Sequence, residues 1–367
     1  MNIFSRVNKQ PYILVLYMLC IVKALSNTSL YVNPFYDSVF SVLGYVCYGG
    51  FLLICLTHKY TVKIFLWLMI CCIALAFTTF YSGNVFLLIT VLAIMAAYKV
   101  NFNNCVKTVF CATIFAIGLI IIGNVLGIFP SVYNFKHGED VIRNSLGFRH
   151  VNNCGLYFLT IIVDAIIIKY ENWKKRYYLY FFVVILFLYV TCGSFTSIAC
   201  SVLAICFLII FRHFNIKLFY SRPVMILLFS IVPICFIMTY VAAVKYAESV
   251  LLQFLNLHLS DRLFLNYMYF KQTQLSMIGH QFELVNWYLD SAYAQMLLFS
   301  GVLPSVLYCI LNILNLKKAF KNDDMGIVIA ILTFAVYGLF ETGAIFFWFN
   351  ISLLYLFTNK AKGRIVE

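Results

Sequence analysis

The chain has 367 residues, 64% hydrophobic and 18% aromatic against only 11% charged, with a mean hydropathy of +0.95 and a formal net charge of +13. Soluble domains run near ~45–50% apolar and ~25% charged, so an ordinary globular enzyme is excluded: the polar residues are too few to cover a water-exposed body of this size. The apolar runs are continuous instead of alternating, which excludes a β-barrel and predicts an all-α, polytopic membrane protein. At ~20 residues per transmembrane helix, about twelve helices account for ~240 residues.

In chain order the runs predict spans at 12–30, 37–57, 62–80, 84–98, 107–128, 151–168, 178–192, 196–211, 223–243, 290–315, 326–341 and 343–358. The first run lacks an A-x-A cleavage site, so it reads as a span and not as a signal peptide. Lys23, inside it, is expected to snorkel outward. The seventh and eighth spans are short, and the turn between them, Thr191-Cys192-Gly193-Ser194-Phe195-Thr196, cannot lie exposed in lipid because its backbone needs partners. Asp164, near the cytoplasmic end of the sixth span, is expected to meet a packing partner or a headgroup. Most of the 13 cysteines, such as Cys71, Cys72 and Cys111, sit in apolar runs and read as small hydrophobes. No cysteine–histidine spacing of zinc-ligand type occurs, and neither metal nor cofactor is expected. The whole of 1–367 is read as one transmembrane domain with two long external segments, 129–150 and 244–289.

Charge bias orients the spans. With a cytoplasmic N-terminus, nineteen of the 26 Lys and Arg residues fall on inside segments and six outside: Lys136, Arg143, Arg149, Lys245, Arg262 and Lys271. The alternation holds at every loop, which places both termini inside. The basic excess is thus a topology signal that also meets the anionic headgroups of the bilayer. It is not a nucleic-acid-binding face, since no soluble domain exists to carry one.

Segment 244–289 mixes aromatics (Phe254, Phe264, Tyr267, Trp287, Tyr288) with charge, and residues 246–257 have apolar positions at near-helical spacing, as in a helix lying in the membrane interface. In 129–150 the basic residues gather in Arg143-Asn144-Ser145-Leu146-Gly147-Phe148-Arg149-His150, directly before the sixth span. Guanidinium forks and a helix N-terminus suit an anion, phosphate above all. The same arginines could equally pair with Glu139, Asp140 or lipid headgroups, an arrangement of little energetic value. Glu341, at the outer end of the eleventh span, lies near enough to the external face to join such a site.

Arg143-x-Ser145-Leu146-Gly147-Phe148-x-His150-x-Asn152-x-x-Gly155 resembles the R-x-S-x-G-F-x-H-P-N-x-x-G stretch of Wzy-type polysaccharide repeat-unit polymerases, relatives of the O-antigen ligases. Three later segments agree in order: Ser194-Phe195-Thr196 with S-R-T, Ser260-Asp261-Arg262 with s-g-R, and Leu289-Asp290-Ser291-Ala292-Tyr293 followed by Gly301 with L-D-N-x-Y … G. Phe195 replaces an arginine, Val151 a proline and Ser291 an asparagine. Arg149, extra to the pattern, is expected to supply the charge lost at Phe195.

The resemblance implies inverting, metal-independent glycosyl transfer at the outer face of a bacterial cytoplasmic membrane. A glycan on undecaprenyl diphosphate passes to a lipid-linked repeat unit, and the pathway's flippase and chain-length regulator are the implied partners. Arg143 and Arg262 would hold diphosphate oxygens, with Arg149 and Lys271 as further substrate-binding cations. His150 or Asp290 would be the general base, and Asn152 and Tyr293 would position sugar hydroxyls. A ligase-like transferase, or a flippase or transporter of lipid-linked sugars, are the competing readings; charges at several membrane depths would mark a flippase, whereas the polar interest here is external.

Overall fold

The computed structural model describes residues 10–136, 139–214, 219–281 and 289–359. The helices are α1 (Gln10–Ser26), α2 (Pro34–Thr57), α3 (Val62–Ser82), α4 (Phe86–Ala96), α5 (Phe102–Val125), α6 (Val151–Lys169), α7 (Arg176–Thr191), α8 (Phe195–His213), α9 (Arg222–Lys245), α10 (Val250–His258), α11 (Arg262–Gln272), α12 (Ala292–Gln295), α13 (Val302–Lys321) and α14 (Met325–Tyr337). A two-stranded antiparallel hairpin, β1 (Tyr133–Lys136) with β2 (Glu139–Asn144), interrupts an otherwise helical chain. Period-two patterning is too short there to stand out from a loop.

Among the described residues seven helices, α2, α3, α5, α6, α8, α9 and α13, are long and apolar enough to cross a membrane, and α1, α4, α7 and α14 are shorter apolar helices. Hydropathy and burial together identify their surroundings. In α3 the mean hydropathy is 2.2 while only 17% of the span is buried inside the protein, so Trp67 and Phe80 face outward. A helix apolar on every side belongs in a large core or in lipid, and little core surrounds α3. Lipid is the remaining solvent.

Local signals set the helix starts. Asn33 accepts from the Phe35 amide and Pro34 fills the first turn of α2; Asn101 caps α5 by accepting from the Asn103 amide. These caps satisfy otherwise orphaned donors and start both helices before the predicted boundaries.

Contacts divide the chain into two compact units interleaved in sequence: Met1–Tyr60, Leu92–Leu208 and Phe347–Glu367 in the first, Thr61–Val91 and Ile209–Phe346 in the second. In the first, α1 packs on α2 and α5, and α5 on α6. The Nζ of Lys23 lies 5.3 Å from the Tyr48 ring centroid and 5.4 Å from that of Trp348, a cation–π seat. Asp164, expected to meet a packing partner or a headgroup, is fully buried on α6, and its carboxyl oxygens have no hydrogen-bond partner among the described residues.

The predicted span 343–358 is not an α-helix. It forms 3₁₀ turns at Thr342–Ile345 and Ile351–Phe357 around an irregular stretch. Its partners come from elsewhere in the fold: the Lys99 amide donates to Phe357 O, the Phe102 amide to Asn359 O, and the Asn359 amide to Val100 O. Phe347, Phe349 and Tyr355 are buried, with Phe349 on Tyr157 and Phe347 on Phe51. Such backbone is tolerated at membrane depth only when protein covers it.

In the second unit α9 packs against α11, α13 and α14, and α3 against α13. The predicted span 290–315 is broken. After α12 and a π-helical turn (Met296–Ser300), Gly301 adopts φ 99° and α13 begins anew. The segment after α11 fills the break: the Val302 and Leu303 amides donate to Ser276 O and Met277 O, and the His280 amide to Leu298 O. Gly301 crosses Gly279 (φ 83°) so closely that a Cβ on either would collide with the other strand's backbone. The predicted span 326–341 shortens to α14, which leaves Glu341 in extended backbone beyond its end.

Candidate functional site

The sequence-selected residues divide between the two units. The first holds Arg143, Arg149, His150 and Asn152; the second holds Arg262, Lys271, Asp290, Tyr293 and Glu341.

In the first unit much of the motif is architectural. Ser145 Oγ accepts from the Val132 amide, Asn144 Oδ1 from the Leu146 amide, and the turn reverses through Leu146 (φ 52°) and Gly147 (φ 87°). Gly147 is crowded by Phe129, Asn124 and Ile120, and Phe148 is wholly buried against Tyr157. Gly155 lets α6 touch the α7–α8 turn, because a Cβ there would strike Ser194. The turn delivers the charged residues. Arg143, on β2, stacks its guanidinium 5.7 Å from the Phe195 ring centroid, and its side chain runs over Gly193. Arg149 stacks 3.7 Å from the Tyr31 ring centroid, so Phe195 has Arg143 against it and Tyr31 has Arg149. His150 caps α6, its Nδ1 accepting from the Asn152 amide at 3.2 Å. Asn152 Oδ1 lies 3.4 Å from Ser194 Oγ, which is itself 3.1 Å from Ser197 Oγ. Two helix N-termini, of α6 and α8, therefore flank these hydroxyls, with Arg143 beside Gly193. Cations and amide dipoles of this kind favour an anion.

In the second unit Arg262 opens α11 and sits between two carboxylates. Its Nη2 donates to Glu341 Oε1 at 2.5 Å, and its Nε is 3.3 Å from Asp290 Oδ2. Arg262 and Glu341 are 13% and 12% exposed, whereas Asp290 is 39% exposed, so Asp290 is the member open to solvent. Two acids around one guanidinium carry an excess negative charge in a desolvated place. Burial pushes the Glu341 carboxyl up to about 7, Arg262 opposing and Asp290 adding to the rise. Burial disfavours the Arg262 guanidinium, but the carboxylates of Glu341 and Asp290 outweigh it and hold its pKa above the ordinary value. The cluster can therefore exchange a proton near neutral pH. Its cation is matched by acids.

Asn256 supports this cluster and carried no sequence signal. Its Oδ1 accepts from the Leu263 and Phe264 amides, each at 3.0 Å, and its Nδ2 donates to Asp261 Oδ1 at 2.9 Å, fixing the start of α11. Lys271, in the last turn of α11, lies over Tyr267. Tyr293, expected to face a sugar, is instead buried, with its ring on Phe236 and its hydroxyl donating to Ala335 O at 2.7 Å; it joins α12 to α14. Trp287 and Tyr288 of the long loop lie outside the described residues. No family model, curated protein or solved structure matches this chain.

Proposed function

We propose that the chain is a membrane glycosyltransferase that joins lipid-diphosphate-linked oligosaccharide units, of the repeat-unit polymerase kind its motifs resemble, working on the outer face of a bacterial cytoplasmic membrane. The observation that carries this reading is the largely desolvated Arg262–Glu341 pair with the more exposed Asp290 beside it, at the head of an external-loop helix, with a carboxyl poised near neutral pH. Twelve membrane passages remain the topology implied by the charge bias, with 343–358 crossing as an irregular segment.

The reaction needs a base and an anion site. Glu341 as carboxylate takes the proton of an acceptor hydroxyl, whose oxygen attacks the anomeric carbon of the donor. The bond from that carbon to the diphosphate oxygen breaks and the diphosphate departs with the electron pair. A group with a pKa near the working pH is suited to this transfer, which favours Glu341 as the base over His150, whose Nδ1 already serves α6. Arg262 orients Glu341, and Asp290 keeps its proton affinity high. In the other unit Arg143 and Arg149, stacked on aromatic rings and close to helix N-termini, suit a phosphate group of a lipid-linked substrate.

The test is a deletion strain complemented with Glu341→Gln. Loss of the gene should leave a single lipid-linked repeat unit with no long polymer, and Glu341→Gln, present in the membrane at the wild-type level, should not restore it. Full-length polysaccharide in the deletion strain would overturn the polymerase reading. Normal polymer with Glu341→Gln would remove Glu341 from the chemistry.

A further inference from the structure

Only the 3₁₀ turn Tyr246–Glu248 and Ser249 separate α9, long and apolar enough to cross a membrane, from α10. At ~3.3 Å per residue that link reaches ~13 Å at most, so α10 must lie close to the membrane surface at which α9 ends. Ser249 caps α10 by accepting from the Leu252 amide at 3.3 Å, so the helix starts abruptly after the turn.

The polarity of α10 is inverted relative to a water-facing helix. Val250, Leu251, Phe254 and Leu257 are 81%, 65%, 57% and 74% exposed, while its buried residue is the polar Asn256. At 3.6 residues per turn these four side chains share one face. The outward residues of α9 just before it, Met238, Val241 and Val244, are exposed apolar side chains of the same kind. The apolar face of α10 therefore continues the surface that α9 turns to lipid.

We propose that α10 lies flat in the bilayer interface, with Val250, Leu251, Phe254 and Leu257 among the acyl chains of membrane glycerophospholipids, as an anchor for the external loop. Interfacial helices bind by burying such a face to the depth of the headgroup boundary. The opposite face does the positioning. Through Asn256, α10 holds the tight turn at Ser260 and Asp261 (φ 52° and 60°) and the first amides of α11, where Arg262 begins. Tyr246, in the link from α9, packs its ring 5.9 Å from Phe264 and 5.5 Å from Tyr267, bracing α11 from the same side. Contact with lipid thus fixes the backbone that presents Arg262 to Glu341 and Asp290. This seating is independent of the reaction the cluster performs.

The full chain, reconstituted in vesicles of phosphatidylethanolamine and phosphatidylglycerol, is irradiated with p-benzoylphenylalanine in place of Phe254, of Leu251, or of Val241 on α9 as the reference. Peptides spanning α10 from the Phe254 and Leu251 proteins should gain the mass of one phospholipid, in yield comparable with the Val241 peptide. Adding Leu257→Glu and Val250→Glu to the Leu251 probe should abolish its adduct while leaving the Val241 adduct in place. Lipid adducts at Val241 with none at Phe254 and Leu251, or cross-links from α10 to protein in place of lipid, would overturn the proposal. Because the readout is a lipid mass and not polymer synthesis, it can fail while the proposed reaction stands, and the reverse.

Discussion

Replacing Glu341 by Gln removes an ionisation that burial opposes and that Arg262 does not fully restore, and its consequence for stability has a definite sign. The folded-state pKa is about 7 and the ordinary value 4.5. A raised value means that stability is fully present below pH 4.5 and is lost as pH rises through about 7. At ~1.36 kcal/mol per pH unit, the interval amounts to about 3 kcal/mol by pH 8. Gln keeps an oxygen acceptor for Arg262 Nη2, and Arg262 keeps Asp290 at 3.3 Å, so the substitution imitates the protonated acid without stranding the guanidinium. Thermal unfolding of the purified chain in detergent should give equal midpoints for wild type and Glu341→Gln near pH 4.5. By pH 8 the variant should melt higher, by roughly 6 °C at ~2 °C per kcal/mol. A lower midpoint for the variant at pH 8 would mean that the charged Arg262–Glu341 pair is net stabilising, as intact buried pairs are when losing a partner costs ~3–5 kcal/mol. The argument for a proton-poised Glu341 would then be refuted.

Four further outcomes are expected. Arg143→Ala should lower polymer synthesis by roughly 10–100-fold, as loss of a hydrogen bond to a charged group does, and Arg143→Lys should not restore it, since an ammonium lacks the planar fork that stacks on Phe195; chain-length analysis on gels reads both. Gly301→Ala should sharply reduce recovery of folded protein by size-exclusion chromatography, because left-handed strain adds to collision with Gly279, whereas Gly83→Ala, with a φ of 72° but open space around it, should cost only ~1–2 kcal/mol. Asn256→Ala should destabilise the chain by ~0.5–2 kcal/mol, the usual value of a helix cap, seen as a lower melting midpoint. If Glu341 is the base, initial rates of glycan transfer in vesicles should rise with pH through about 7 as it deprotonates, and a flat profile would count against that role.

Hydropathy is a local quantity summed over about a helix length, and that is why composition and apolar runs alone determined a helical membrane protein and the positions of α2, α3, α5, α6, α8 and α9. The caps at Asn33 and Asn101 are equally local, but hydropathy does not register a polar residue, so α2 and α5 start earlier than the apolar runs alone predict. The helix expected near 246–257 was visible for the same reason, as apolar spacing, and appears as Val250–His258. Motif order pointed to Arg143, His150, Arg262 and Asp290, but order along a chain says nothing about what a side chain touches.

The tertiary structure decided the rest, because those outcomes depend on partners distant in sequence. Residues 343–358 are as apolar as any span, yet they form short 3₁₀ turns, and Phe357 and the adjoining Asn359 exchange backbone hydrogen bonds with the α4–α5 turn in place of continuing a helix. The tenth apolar run breaks at Gly301 because Gly279, from the external loop, crosses it. Tyr293, polar at its tip and part of a motif, lies inward because Ala335 accepts its proton. Arg262 and Glu341, 79 positions apart, meet in a desolvated place where one more carboxylate, Asp290, makes the charge uneven. The sequence by itself determined the solvent of this protein, through a sum over neighbours; only the folded chain decided which of its few charges share a site and where a proton can reside.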